Sequence, residues 1–196
     1  MMSVAFQVPV NAAEKAITQS SGGVYGKISY LSSNQVGIDI NNPNGDDIEV
    51  QLRDYKGKVI KTNFSYFYST FSLSKNKLYS YRIRGVYYVN GEYVPYTNWS
   101  NSVYFTTAQY KVTRVGKGRK VKIKTPKVAG IKNYKIYMSL KKNGGWKKLK
   151  TVKAGKSIIG SKFKGKPFKL YTNYYYKIVP NKGSYYINGF YFYNKR

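Results

Sequence analysis

The chain is predicted to be all-β, folded as two antiparallel β-sandwiches in tandem. Three observations carry this expectation. Apolar and polar residues alternate along short runs while a helical period is nearly absent, the pattern of half-buried strands. Asn- and Gly-rich turn signals separate the runs. A motif also recurs: Leu73-x5-Tyr79-x-Tyr81-Arg82-Ile83 returns as Phe168-x5-Tyr174-x-Tyr176-Lys177-Ile178, displaced by 95 residues. That displacement is about one sandwich domain.

The elements follow in order. Val36 to Ile40 alternates, and Asn42-Pro43-Asn44-Gly45 turns the chain into Ile48 to Arg53 and then Lys58 to Thr62. Tyr79 to Arg84 alternates next, Asn90-Gly91 marks a hairpin, and Val103 to Thr107 is the last strand of the first copy. The second copy runs through Val121 to Lys124, Tyr134 to Met138, the turn Asn143-Gly144-Gly145, and Trp146 to Val152. Tyr174 to Ile178, a turn at Asn188-Gly189 and a final strand Phe190 to Tyr193 complete it. Between Ile48 and Tyr134 the offset is 86 residues, against 95 for the repeated tyrosines, so the second copy is expected to carry extra loop residues before Phe168. Gly155-Lys156-Ser157 looks like the end of a phosphate-binding loop, but Lys150 stands where that loop needs Gly. A turn is the better reading.

On these residues the chain resembles fibronectin type III domains, particularly those strung along secreted or cell-surface proteins of Gram-positive bacteria. Lys120 to Thr125 is similar to strand B of that fold, Asn133 to Met138 to strand C, Gly145 to Leu149 to C′ and Asn173 to Ile178 to F. The resemblance covers roughly 24–107 and 109–193 and implies immunoglobulin-like sandwiches. It implies that Tyr79 and Tyr174 are core residues whose hydroxyls bond nearby backbone, the tyrosine corner. A Trp usually closes strand B in the family, whereas Ile40 and Thr125 stand there in this chain. Trp99-Ser100-Asn101-Ser102 is similar to a Trp-Ser element of some relatives, and no Arg-Gly-Asp tripeptide supports integrin binding.

Composition narrows the chemistry. The 196 residues contain no His and no Cys, 23 Tyr, 35 Lys or Arg and 7 Asp or Glu, for a net charge of +28. Disulfides, thiolate or imidazole catalysis and the usual N/S zinc sites are excluded. No cofactor is expected. No apolar run of about 18 residues is long enough to span a membrane. The charge is unevenly placed: residues 1–108 hold 10 basic and all 7 acidic residues, net +3, while residues 109–196 hold 25 basic residues and no acid. A half without a carboxylate cannot build a two-carboxylate active site. Together these features point to a non-enzyme with a polyanionic partner for its second half.

Alternation locates a candidate face. With Tyr134, Ile136 and Met138 inward, Lys135 and Tyr137 point outward. The same logic puts Leu149 inward and Lys148 and Lys150 outward, and on the next strand Tyr175 and Lys177 outward. Strands C, C′ and F share one sheet in the implied fold, so these residues form a basic grid interleaved with tyrosine. The other sheet contributes Lys120, Lys122 and Lys124. Trp146 is expected to be a packed C′ residue, the alternative being a sugar platform; alternation puts it on the same side as Lys148, which would have it cover the sheet surface instead of the core. In the second half Lys outnumbers Arg 22 to 3. Lys acts as a point charge without the bidentate fork of Arg, favouring diffuse attraction to an anionic polymer over sequence-specific nucleic-acid reading. The alternatives are a solvated Lys surface that blocks edge pairing, hence structural spacer domains, and a non-specific nucleic-acid-binding protein.

The expected organisation is 1–23 as a signal-peptide remnant or N-terminal extension, 24–108 as a nearly neutral domain and 109–196 as a strongly basic one. Val10-Asn11-Ala12 resembles a small-residue cleavage site, with a mature start near Ala13 or Glu14; the alternative is an ordinary first strand, Val4 to Val10. The chain is read as secreted or cell-surface, an adhesion or binding module whose first domain is a spacer or protein contact and whose second contacts cell wall, polysaccharide or a similar polymer.

Overall fold

The computed structural model describes the backbone at residues 2–6, 10–11, 17–19 and 23–194. The expected mature start near Ala13 or Glu14 lies outside these residues. Strands account for the regular structure, and among the described residues no helix is long and apolar enough to cross a membrane. Contacts divide the chain into two compact units, 13–108 with 182–184, and 1–12 with 109–181 and 185–196. The first two strands, β1 (Met2–Phe6) and β2 (Val10–Asn11), belong to the second of these.

In the first unit the strands are β3 (Ile17–Gln19), β4 (Tyr25–Leu31), β5 (Gln35–Asn41), β6 (Asp47–Asp54), β7 (Val59–Ser65), β8 (Tyr68–Ser72), β9 (Leu78–Val89), β10 (Glu92–Pro95) and β11 (Val103–Thr106). One sheet runs β3-β4-β5-β8 and the other β10-β9-β6-β7, with β11 also on β9. All the pairings are antiparallel. Taking β4 as strand A, the two sheets are A-B-E and C′-C-F-G, the arrangement of a fibronectin type III-like sandwich. Pairing of β3 with Tyr25–Lys27 lies upstream of residue 24, where the domain was expected to begin. Alternation dictates the core: Val36, Ile38 and Ile40 from one sheet meet Ile48, Val50, Leu52, Tyr81 and Ile83 from the other. Asn90 and Gly91 both take positive φ, the geometry of the tight hairpin turn that Asn-Gly favours.

The outer face of this unit explains its Trp-Ser element. Arg82 and Arg84 lie over the Trp99 ring, 4.0 and 4.3 Å from its centroid. Arg84 pairs with Glu49 at 2.6 Å and Arg82 donates to Gln51 Oε1 at 2.8 Å. Ser100 fastens the next turn, its N–H donating to Ile83 O and its hydroxyl accepting from Ile83 N.

The second unit contains β12 (Lys111–Arg114), β13 (Val121–Lys124), β14 (Asn133–Ser139), β15 (Lys147–Lys153), β16 (Ser157–Gly160), β17 (Lys162–Phe163), β18 (Lys166–Pro167), β19 (Tyr174–Pro180) and β20 (Tyr186–Asn194). Its sheets run β12-β13-β16 and β1-β20-β19-β14-β15, with β2 also on β20. Apart from the N-terminal strands, this repeats the A-B-E and C′-C-F-G order. The expected extra residues before Phe168 form the β17–β18 hairpin, whose Phe163 is buried edge-on to Tyr174. Thr125, where the family places Trp, is fully buried and donates its hydroxyl to Lys156 O at 2.9 Å. Gly155 and Lys156 make the expected turn, with Gly155 at φ +81° and the Lys156 N–H donating to Lys153 O, and Ser157 opens β16.

One turn is corrected. Asn188 and Gly189 lie inside β20, buried, and paired with Tyr176 and Tyr175. The chain reverses earlier, after Pro180, where Gly183 takes φ +101°. Pairing with Tyr174–Ile178 of β19 outweighs the local turn preference of Asn-Gly, and Asn188 stays satisfied by donating to Tyr186 OH at 3.0 Å.

Both tyrosine corners form, with matching details. The N–H of Ser74 donates to Tyr79 OH and that of Lys169 to Tyr174 OH, each at 2.9 Å. Three residues before each tyrosine the backbone is left-handed, at Asn76 (φ 55°) and Tyr171 (φ 54°). The Asn76 N–H donates to Thr107 O and the Tyr171 N–H to Phe192 O, tying each corner to the end of its sandwich.

Candidate functional site

The expected basic face exists in part. On β14, Tyr134, Ile136 and Met138 are fully buried while Lys135 is exposed and Tyr137 half-buried. On β19 the alternation is strict, with Tyr174, Tyr176 and Ile178 inward and Tyr175 and Lys177 between them. Register then sets the grid. Tyr137 is directly opposite Lys177 on one side and Lys148 on the other, and Lys177 is opposite Ile187. Directly opposed residues share a face, so Lys148, Tyr137, Lys177 and Ile187 form a row across four strands. Lys135, two residues along β14 and opposite Thr151, lies one row away, about 7 Å along the strand. Tyr175, opposite Ser139, lies one row away in the other direction.

Lys150 is not part of this grid. The pairing of β14 with β15 slips between Ile136 and Tyr137, leaving Leu149 as an extra residue and setting Lys150 opposite the inward-facing Ile136. Such a bulge reverses the alternation beyond it. Lys150 and the half-buried Leu149 instead line an open groove of about 560 Å³ with Ser157, Ile158, Ile159 and Lys162. Lys120, Lys122 and Lys124 are exposed as expected. They sit on the outer face of the other sheet, where Lys124 is opposite Lys111 and Lys122 opposite Thr113. Two separate basic faces result, since Val121 and Ile123 between those lysines point into the core.

Alternation could not show what surrounds Lys177. Its ammonium lies 4.9 Å from the Trp146 ring centroid, 5.3 Å from that of Tyr137 and 5.5 Å from that of Tyr185. These are cation–π distances. All three rings and Lys177 itself are half-buried. Burial lowers the Lys177 pKa from its usual value by desolvating the ammonium. Tyr137 stands on β14, while Trp146 and Tyr185 immediately precede β15 and β20, so only the folded sheet assembles them. No carboxylate of this half is available to neutralise the lysines, since residues 109–196 contain none. Among the described residues no group of His, Cys, Asp or Glu could hold a metal ion.

The first unit holds a feature that the sequence reading missed. Its β9–β10 hairpin and β7–β8 turn expose large aromatics: Phe67 is 70% exposed, Tyr88 63% and Tyr66 54%. Phe64 and Tyr93 stack face to face, centroids 3.8 Å apart. They border a cleft of about 460 Å³ with Thr62, Asn63, Ser65 and Tyr68. The dense aromatic run Tyr66-Phe67-Tyr68 was a signal, but alternation does not report exposure in a turn.

Among solved structures the chain is similar to a two-domain fibronectin type III segment of chicken tenascin, with 14% identity over 84% of this chain and 95% of that one and a TM-score of 0.33. It is also similar to the central fibronectin III array of RIM-binding protein, with 10% identity over 92% of this chain and 70% of that one and a TM-score of 0.29. No protein-family profile matches the chain, and no curated protein sequence does.

Proposed function

We propose that this chain is a non-enzymatic, secreted or cell-surface binding module whose second sandwich contacts an anionic polymer of the cell wall or a similar surface. The observation that carries the reading is the row of Lys148, Tyr137 and Lys177 with Lys135 beside it, in a half with 25 basic residues and no acid. Regularly spaced cations on a rigid sheet suit a repeating anion, which they engage through many weak, salt-sensitive contacts. The exposed aromatics of the first unit support a protein contact there, since large exposed apolar patches mark interaction surfaces. Secretion fits the resemblance to Gram-positive surface proteins.

A second reading has its own observation. β15 is an edge strand and carries Lys147, Lys148, Lys150 and Lys153, and edge lysines suppress strand-to-strand aggregation. On that reading the sandwiches are spacers and the charge serves solubility. Retention of the full chain on bacterial cell walls, intact and stripped of anionic polymer, separates the two. Binding that needs the polymer and weakens with salt is expected; equal weak binding to both preparations favours the spacer.

A further inference from the structure

We infer that the ring-caged Lys177 is a subsite for a sugar-based polyanion, one whose carboxylate is carried directly on a pyranose ring, as in a polyuronate. The inference rests on the polyanion reading above and names the ligand class of that same face. A bare cationic grid would not distinguish a polyuronate from a polyphosphate, and if anything favours the polymer with more charge. The cage changes this. Trp146, Tyr137 and Tyr185 surround the ammonium at 4.9 to 5.5 Å, so the charge stands within an apolar aromatic rim. A ligand that reaches Lys177 must lay its own skeleton against those rings. A pyranose ring has an apolar C–H face that stacks on an aromatic ring, and its carboxylate then meets the ammonium held beside that ring. A phosphate chain has no apolar face, and against those rings its charged oxygens would lose water without a hydrogen-bond partner in return. The partial burial that lowers the Lys177 pKa also reduces screening of its attraction to a carboxylate.

The neighbourhood suits a polymer more than a single sugar. Lys148 and Lys135 stand one strand and one row from Tyr137, available to the anions of adjacent units. Among the described residues no ring lies over the ammonium of either, so both supply charge without the stacking element.

The experiment measures dissociation constants of the intact chain for an oligogalacturonate and for inorganic polyphosphate at equal salt, with W146A, Y185S and K135A as variants and thermal melts as the folding control. Oligogalacturonate binding is expected to weaken about five- to tenfold in W146A and severalfold in Y185S, with polyphosphate binding changed less than about twofold. K135A should weaken both polymers alike. Equal losses for the two polymers in both ring variants, or no loss for either, overturns the sugar subsite while leaving the polyanion reading standing. Absence of binding to either polymer at low salt overturns the polyanion reading and this inference with it. Y185S removes a ring contributed by a different connection, the one leading into β20, so a W146A variant that failed to fold would leave the test intact.

Discussion

The paired tyrosine corners permit one perturbation to be made twice in the same chain. Tyr79→Phe and Tyr174→Phe each remove a hydroxyl and nothing else. The rings are 7% and 4% exposed and keep their packing: Tyr79 on Phe105 at 5.8 Å, Tyr174 on Phe168 at 4.7 Å and on Phe190 at 5.7 Å. The apolar contribution therefore survives, and the loss is the 2.9 Å bond from the Ser74 or Lys169 N–H. An abandoned buried donor costs about 1–3 kcal/mol. Ser74 and Lys169 are exposed residues, so water partly replaces the phenol and about 1–1.5 kcal/mol is expected at each corner. For a domain of this size that is a fall in midpoint temperature of about 5–10 °C. Each unit contains one of the chain's two tryptophans, Trp99 or Trp146, so Trp→Phe backgrounds at one or the other let denaturant titrations followed by fluorescence report each sandwich separately. Each substitution should lower the midpoint of its own sandwich, with little change in denaturant slope. Shifts below about 0.3 kcal/mol at both corners would refute the argument, since the hydroxyls would then hold nothing that water does not replace.

Tyr171 is 67% exposed and left-handed, where its counterpart is Asn76. Tyr171→Gly should stabilise the second sandwich by about 0.5–1 kcal/mol, read as a raised denaturation midpoint, because glycine removes the Cβ strain at positive φ. Burial raises the pKa of Tyr81, Tyr134 and Tyr176 far above the usual phenol value and also raises that of Tyr110 and Tyr186. A folded-state pKa above the unfolded one contributes stability that is complete below pH ~10 and is lost as pH rises toward the folded value. Phenolate absorbance should therefore rise in two stages, exposed tyrosines near pH ~10 and the buried group only together with unfolding measured by circular dichroism; a single smooth titration with the fold intact would contradict the burial.

Much of this architecture could be read from order along the chain alone. Strands such as Tyr174 to Ile178 announce themselves because one face of a sandwich must be apolar, and the side-chain period of two transfers that demand directly into sequence. The corner motif did the same: a left-handed residue and a tyrosine hydroxyl satisfy a local backbone group, so Leu73 to Ile83 and Phe168 to Ile178 keep their spacing. The smaller offset upstream likewise signalled the extra residues that became the β17–β18 hairpin. The division of charge between the halves needed no structure at all.

What sequence could not carry is whatever depends on which residue of another strand stands opposite. Lys150 left the basic face because a one-residue slip against β14 inverted its side, and a bulge has no mark in an alternating run of lysines. Asn188-Gly189 became strand because twelve residues upstream Tyr176 was waiting to pair with it. The rings about Lys177 come from positions 137, 146 and 185, brought together by the register of β14 with β19 and by the connections that lead into β15 and β20. Local preference thus decided the sandwiches, and long-range pairing decided which of their charges stand beside an aromatic ring.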